Sequence, residues 1–382
     1  MPGTNGVLPA ELIARGITRR DFTAYCASVA VMIGLTEAGA PQVAAAITKA
    51  ASSKLKPVVW LEAGSCSGCT ESTAQADTPD IATIVLDIIS LNYTETIMAA
   101  AGYAAESAKQ QTIDAGGYIL IYEGSVMTGW DGDALIIAGK KGVDELKEAA
   151  SKADAVIAVG SCAVDGGWVA AAPNPAGATG VKPYLTSQGI STPVINLPTC
   201  PVNPEWLVAI VVDVLILGKL PELDSVGRPK LIFGKTIHDN CPRRGHFENG
   251  EFVRRFGSAE EAKGYCLYAM GCKGPQTLTN CPIVRWNHRV SWCVESGAPC
   301  IGCGNLSWVD VGAPFLKRMR EIPIGGGVQP TTIALGVAGV AAAGLVAHGL
   351  GMKAAGRTGA AGVPTEDVKE YDKKHASKGG DR

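Results

Sequence analysis

Between residues 57 and 235 the runs PVVWL, IVLDIISL, GYILIY, AVIAVG and PVINL alternate with helix-like stretches such as ETIMAAAGYAAESAKQ and VDELKEAASKA. Three of these five runs lead into cysteines. The alternation predicts an α/β fold with a mostly parallel sheet, and in such sheets ligands gather beyond the carboxyl ends of the strands. The first run meets Gly64-Ser65-Cys66-Ser67-Gly68-Cys69, the fourth Gly160-Ser161-Cys162 and the fifth Pro198-Thr199-Cys200-Pro201. Cys66, Cys69, Cys162 and Cys200 are therefore expected at one sheet edge. A cubane iron–sulfur cluster takes four thiolates and tolerates scattered ligands. Zinc also accepts four, but its structural sites usually draw on paired motifs; four unrelated core thiols are the remaining alternative. Gly64, Gly68, Gly160 and the prolines flanking Cys200 would let backbone amides approach the sulfurs.

From residue 236 the pattern changes to loops rich in Gly and Pro, the signature of a separate, cofactor-dependent domain. His238, Cys241, Cys266 and Cys272 form one group there, and Cys281, Cys293, Cys300 and Cys303 another. A lone histidine is usually structural, and His246 and His288 are read so; His238 stands three residues before a cysteine in a region short of core. Of the 12 cysteines, Cys26 alone stands near the N-terminus. The others, with His238, fill three four-ligand sites without a spare thiol, provided Cys293 belongs to the last. Three clusters in one chain mean stepwise electron transfer rather than catalysis by the chain alone. The sequence shows no Gly-rich phosphate loop, nucleotide fingerprint or Ser/His/Asp constellation.

A chain of 382 residues with 34 basic and 36 acidic side chains has no broad electrostatic reason to bind nucleic acid. Thr18-Arg19-Arg20-Asp21-Phe22, before the charge-free run 23–36, resembles a twin-arginine export signal; the alternative is an ordinary first helix with an incidental arginine pair. That route carries folded proteins, so metal centres can be inserted before export. Thr331–Met352 carries no Lys, Arg, Asp or Glu and is about as long as a bilayer core requires, roughly 20 residues. It is expected to be a membrane anchor, although its Gly and Ala content makes it only weakly hydrophobic. Residues 353–382 read as a solvated polar tail.

The motifs VVWLEAGSCSGCTES, GSCAVDGGWVAAAPNPAGATGV, INLPTCPVNP, HDNCPRRGHF, GCKGPQTLTNCP and GAPCIGC occur in this order over residues 57–312. Together they identify a resemblance to the small, electron-transferring subunit of membrane-bound nickel-iron hydrogenases. The resemblance implies a flavodoxin-like sheet domain (53–235), a loop-rich iron–sulfur domain (236–328), a transmembrane helix (329–352) and a polar tail (353–382), after a signal and processing region (1–52). It implies that Cys66, Cys69, Cys162 and Cys200 hold a proximal [4Fe-4S] cluster and that His238, Cys241, Cys266 and Cys272 hold a distal one. Cys281, Cys300 and Cys303 match the medial ligands. The common medial cluster is [3Fe-4S], with a proline near the position of Cys293; here a thiolate can supply the fourth corner of a [4Fe-4S] cluster. Oxygen-tolerant members carry two extra proximal cysteines where this chain has Gly68 and Gly167, which implies an ordinary proximal cubane and oxygen sensitivity. Also implied are a hydrogenase large subunit that bears the Ni–Fe centre, a membrane cytochrome b or other cytochrome as acceptor, and a body on the periplasmic face of the membrane. Glu71 falls in the first motif, either at the large-subunit interface or in proton handling, or simply as a helix-capping carboxylate.

Two rivals stay open on sequence. The first half also resembles the cluster-bearing small subunit of respiratory NADH:quinone oxidoreductase, which lacks the region from His238 to Cys303. A secreted disulfide protein is the other, and its iron content would be near zero.

Overall fold

The computed structural model describes residues 18–32, 37–51, 55–76, 81–85, 89–211, 213–214, 220–287, 289–317 and 330–355. The chain forms two compact units, Met1–Arg318 and Met319–Arg382. In the first, strands β1 (Lys56–Glu62), β2 (Ile89–Thr94), β3 (Ile119–Glu123), β4 (Ala155–Val159) and β5 (Val194–Leu197) build one sheet. Every pairing is parallel and the order is β2-β1-β3-β4-β5. This is the flavodoxin-like order, with its switch point between β1 and β3. The central strands β3 and β4 are buried at every position and read as nearly continuous apolar runs, because both faces of the sheet are covered there.

The helices are α1 (Arg19–Met32), α2 (Ala40–Ala51), α3 (Gly68–Thr73), α4 (Gly102–Ala115), α5 (Gly142–Lys152), α6 (Gly160–Asp165), α7 (Val181–Ser187) and α8 (Pro204–Val211). Strand pleating sends Val59, Leu61, Leu120, Tyr122 and Val156 to one face, where they meet Ile113 of α4, Leu146 of α5 and Leu185 of α7. Alternate residues Val58, Trp60, Ile121 and Ile157 face a second core that includes Trp206 of α8. All eight residues of α8 are buried, which suits a helix apolar but for Glu205. Phe22, Cys26 and Ala30 of α1 and Val43 of α2 join the same core. The segment expected to be an export leader is thus packed against the body through these residues of α1 and α2.

Downstream of residue 236 the chain is held by one-turn helices and isolated bridges such as Thr236 to Leu278 and Phe252 to Cys266. Its apolar residues Val253, Leu267, Trp292 and Val294 belong to the core that also backs the sheet. Polar ties reinforce this contact: the Trp206 indole N–H donates to Asn280 Oδ1 at 2.8 Å, and Asn203 Nδ2 donates to the Arg285 carbonyl at 2.6 Å.

In the second unit, helix α9 spans Pro330–Ala354. The expectation of a transmembrane anchor at 329–352 is not supported here. The helix forms, but among the described residues no helix is long and apolar enough to cross a membrane. Ala and Gly make up 12 of the 25 residues of α9, and their small side chains bury little apolar area. Of the expected polar tail, residues 356–382 lie outside the described residues.

Candidate metal centres

The first thiol set forms where the switch point demands it. β1 ends at Glu62, and Ser67, at a left-handed φ of 58°, turns the chain into α3 with Cys66 and Cys69 on either side. β4 runs straight into α6, which carries Cys162, and β5 leads to the loop with Cys200. All four line one cavity of about 80 Å³, with Gly68, Gly160 and Pro201 among its walls. Gly160 has a φ of +81°, and a Cβ there would lie 2.5 Å from Cys69 Sγ. The backbone therefore approaches the sulfurs as only glycine allows.

Glu123, at the carboxyl end of β3, belongs to none of the cysteine motifs. Its carboxylate is 2 % exposed and accepts the N–H groups of Cys69 and Thr70, both at 3.0 Å, and the Thr70 hydroxyl at 2.7 Å. It pins the start of α3 in the cavity wall, and burial pushes its carboxyl above the usual range. The signal available in the sequence is an acidic residue closing an apolar strand. Glu71 is exposed in the first turn of α3.

The second set, His238, Cys241, Cys266 and Cys272, likewise lines one cavity, of about 20 Å³, with Phe247 and Tyr268 beside it. The His238 ring packs edge-on against Phe247 at 4.5 Å. Partial burial, then the Arg244 charge, lowers the His238 pKa, which favours the neutral imidazole that ligation needs. His246 pairs with Glu251 at 2.6 Å and takes no part.

In the third set Cys281 and Cys300 are buried, Cys303 is half-buried and Cys293 is exposed. Electrostatic coupling ties them together: Cys281 and Cys303 each feel Cys293, and Cys300 feels both Cys303 and Cys281. The three sets also touch in order. The Ser161 hydroxyl, beside Cys162, donates to the Cys303 carbonyl at 3.1 Å, and the Lys273 N–H, beside Cys272, donates to the Cys300 carbonyl at 2.7 Å. The third set therefore lies between the first and the second.

The donor chemistry fits thiolate clusters. N–H groups aim at the sulfurs throughout: Val202 to Cys69 at 3.4 Å, Trp168 to Cys162, Arg243 to Cys241, Tyr268 to Cys266 and Gly302 to Cys300. The Thr279 hydroxyl donates to Cys281 at 3.0 Å. Such donors stabilise negative sulfur. Without a cation, burial pushes the thiols the other way, Cys162, Cys266 and Cys281 each up to about 11. Iron would reverse that balance, because a coordinating thiol is deprotonated outright. None of the twelve cysteines is in a disulfide. Among the described residues no three His, Cys, Asp or Glu side chains are gathered for a single metal ion, so the sulfurs ring hollows instead.

Residues 66–214 match the family profile described as NADH ubiquinone oxidoreductase, 20 Kd subunit, and residues 233–316 match the C-terminal profile of the NiFe/NiFeSe hydrogenase small subunit. The periplasmic [NiFe] hydrogenase small subunit of Solidesulfovibrio fructosivorans is 45 % identical over 310 residues, covering 81 % of this chain and 95 % of that protein. The chain belongs to the nickel-iron hydrogenase small-subunit family. The second profile match accounts for what the quinone oxidoreductase relative lacks. This hydrogenase small subunit is also 40 % identical over 337 residues to the uptake hydrogenase small subunit of Azotobacter vinelandii, covering 87 % of this chain and 92 % of that one. Among solved structures it resembles the [NiFeSe] hydrogenase of Desulfovibrio vulgaris Hildenborough, with TM-score 0.65 and 37 % identity, over 70 % of this chain and 99 % of that one. Small subunits of this family carry iron–sulfur clusters, while the catalytic Ni–Fe site lies in the large subunit.

Proposed function

We propose that this chain is the electron relay of a periplasmic uptake hydrogenase and holds three [4Fe-4S] clusters. Cys66, Cys69, Cys162 and Cys200 would hold the proximal cluster and His238, Cys241, Cys266 and Cys272 the distal one. Cys281, Cys293, Cys300 and Cys303 would hold the medial cluster. The reading is carried by two contacts, the Ser161 hydroxyl to the Cys303 carbonyl and the Lys273 N–H to the Cys300 carbonyl, that string the sets in the order proximal, medial, distal. When bound, the clusters supply one-electron redox stations between the large-subunit Ni–Fe site, where H2 is oxidised, and a cytochrome acceptor such as a membrane cytochrome b.

This chain's own part is to hold sulfurs, exclude water and present amides. The proximal end reaches the surface, since Cys66, Cys200 and Trp168 are exposed, and that face is assigned to the large subunit. Gly68 and Gly167 support an ordinary proximal cubane. A Cβ at Gly68 would lie 3.1 Å from Cys66 Sγ, and one at Gly167 2.9 Å from Cys162 Sγ, so any side chain at either position would crowd the ligands. Oxygen sensitivity follows from that reading. The Thr18–Phe22 motif, in the division 1–52, 53–235 and 236–328, assigns the first segment to twin-arginine export of the folded protein.

The relay and the catalytic centre can be separated. In the heterodimer, His238→Ala should abolish H2-driven cytochrome reduction while leaving H2/D2O isotope exchange at the Ni–Fe site intact. Unimpaired cytochrome reduction would sink the distal assignment and the relay order with it.

A further inference from the structure

The seam between the medial and distal sets holds a buried cation. Lys273 follows Cys272 in the chain and is 2 % exposed. Its N–H donates to the Cys300 carbonyl at 2.7 Å, and its own carbonyl accepts the Thr277 hydroxyl at 2.7 Å. The side-chain stem runs along Gly302, in the turn between Cys300 and Cys303: a Cβ there would lie 3.4 Å from Lys273 Cβ and 3.6 Å from its Cγ. The ammonium at the end of the stem donates to the Lys317 carbonyl at 2.6 Å. That carbonyl in turn lies against Gly271, where a Cβ would stand 2.6 Å from its oxygen. Lys273 is thus held on one side by the loop that carries Cys300 and Cys303, and on the other by the residue before Cys272.

Among the described residues no carboxylate forms an ion pair with Lys273. Taking an ammonium out of water is costly unless negative charge lies nearby, and a single carbonyl supplies only a dipole. Arg228 shows the contrast. It is a second buried cation beside the medial loop, donating to the Gly304 carbonyl at 3.0 Å, but it carries its own carboxylate, Asp224 at 2.8 Å. We infer that Lys273 is the shared counter-charge of the medial and distal clusters: its ammonium, fixed at the seam, favours the reduced, more negative state of each and so raises both potentials. The inference rests on the proposed reading of Cys272 as a distal ligand and of Cys300 and Cys303 as medial ones. Charge is one of the levers that set a cluster's potential, and a buried charge is screened far less by salt than an exposed one.

The test is an EPR-monitored redox titration of the purified heterodimer, with iron counted on the same sample. Lys273→Met removes the charge, and Lys273→Gln removes it but keeps an N–H donor; at full iron both should lower the medial and distal midpoint potentials. The expected shift is about tenfold in each one-electron reduction equilibrium, about 59 mV, as for a unit charge about 12 Å away at an effective dielectric constant of about 20. Lys273→Arg should keep both potentials at their wild-type values. If neither neutral variant keeps its medial and distal iron while the Arg variant does, the charge is already needed for the clusters to assemble, which supports the inference. Wild-type potentials in a neutral variant at full iron overturn it, and so does an Arg variant that behaves like the neutral ones. Cys300→Ser tests the underlying reading separately: an unchanged medial signal there would remove Cys300 as a ligand, whereas a lost or altered one leaves the Lys273 result decisive.

Discussion

Replacing Gly160 by alanine isolates how closely the backbone must approach the proximal sulfurs. The new Cβ would stand 2.5 Å from Cys69 Sγ, and contacts under 3.0 Å essentially never occur, so the sulfur must retreat by at least 0.5 Å (3.0 − 2.5). Plausible metal–ligand distances span only about ±0.2 Å, so the displacement exceeds what the site tolerates. The φ of +81° adds about 1–2 kcal/mol of backbone strain for any residue with a Cβ. Gly102 provides the control. It has a φ of +57° but open space around its Cβ position, so Gly102→Ala meets comparable strain without a clash. Iron quantification with low-temperature EPR should find Gly160→Ala short of about four irons, one cubane, with the medial and distal signals kept. Gly102→Ala should retain its full iron. Full iron and a normal proximal signal in Gly160→Ala would refute the reasoning.

Lys109 is buried with its ammonium on Glu145, itself buried, and on Glu106 at 2.7 Å. Lys109→Met should lower stability by about 3–5 kcal/mol, because it strands a buried carboxylate, and Lys109→Met/Glu145→Leu should recover much of the loss; thermal unfolding of the heterodimer reads both. Cys293→Ala should convert the medial cluster to a three-iron centre, visible as a sharp near-stoichiometric EPR signal in the oxidised protein, and no change would remove Cys293 from the ligand set. Burial pushes the Cys26 thiol up to about 12, so at neutral pH it stays protonated and unreactive. Iodoacetamide should label it in the full chain only after unfolding, and prompt labelling of native protein would mean that α1 is not seated in the core.

The parallel sheet was legible because burial at every position makes the central strands β3 and β4 nearly unbroken apolar runs, whereas the edge strand β2 carries Ser90, Asn92 and Thr94; cysteines placed just beyond the runs had to converge. The grouping of His238 with Cys241, Cys266 and Cys272 was legible from spacing, and the structure brings these four to one cavity. The order of the three sets was not. It depends on two contacts, the Ser161 hydroxyl to the Cys303 carbonyl and the Lys273 N–H to the Cys300 carbonyl, whose partners no residue type records. Glu123 and Ser161 were illegible for a related reason: a carboxylate or hydroxyl becomes informative only once its partners, 53 or 54 residues away for Glu123 and 142 for Ser161, are known. The transmembrane expectation for α9, read from the absence of charge over the run, is not supported among the described residues.

Iron and acid-labile sulfide, measured on the purified heterodimer, bear most directly on the claim that this one chain holds three four-ligand clusters. The account predicts about twelve irons beyond the active-site iron, with matching sulfide, as three cubanes require. Near-zero iron and sulfide, with the thiols recovered as disulfides, would contradict it.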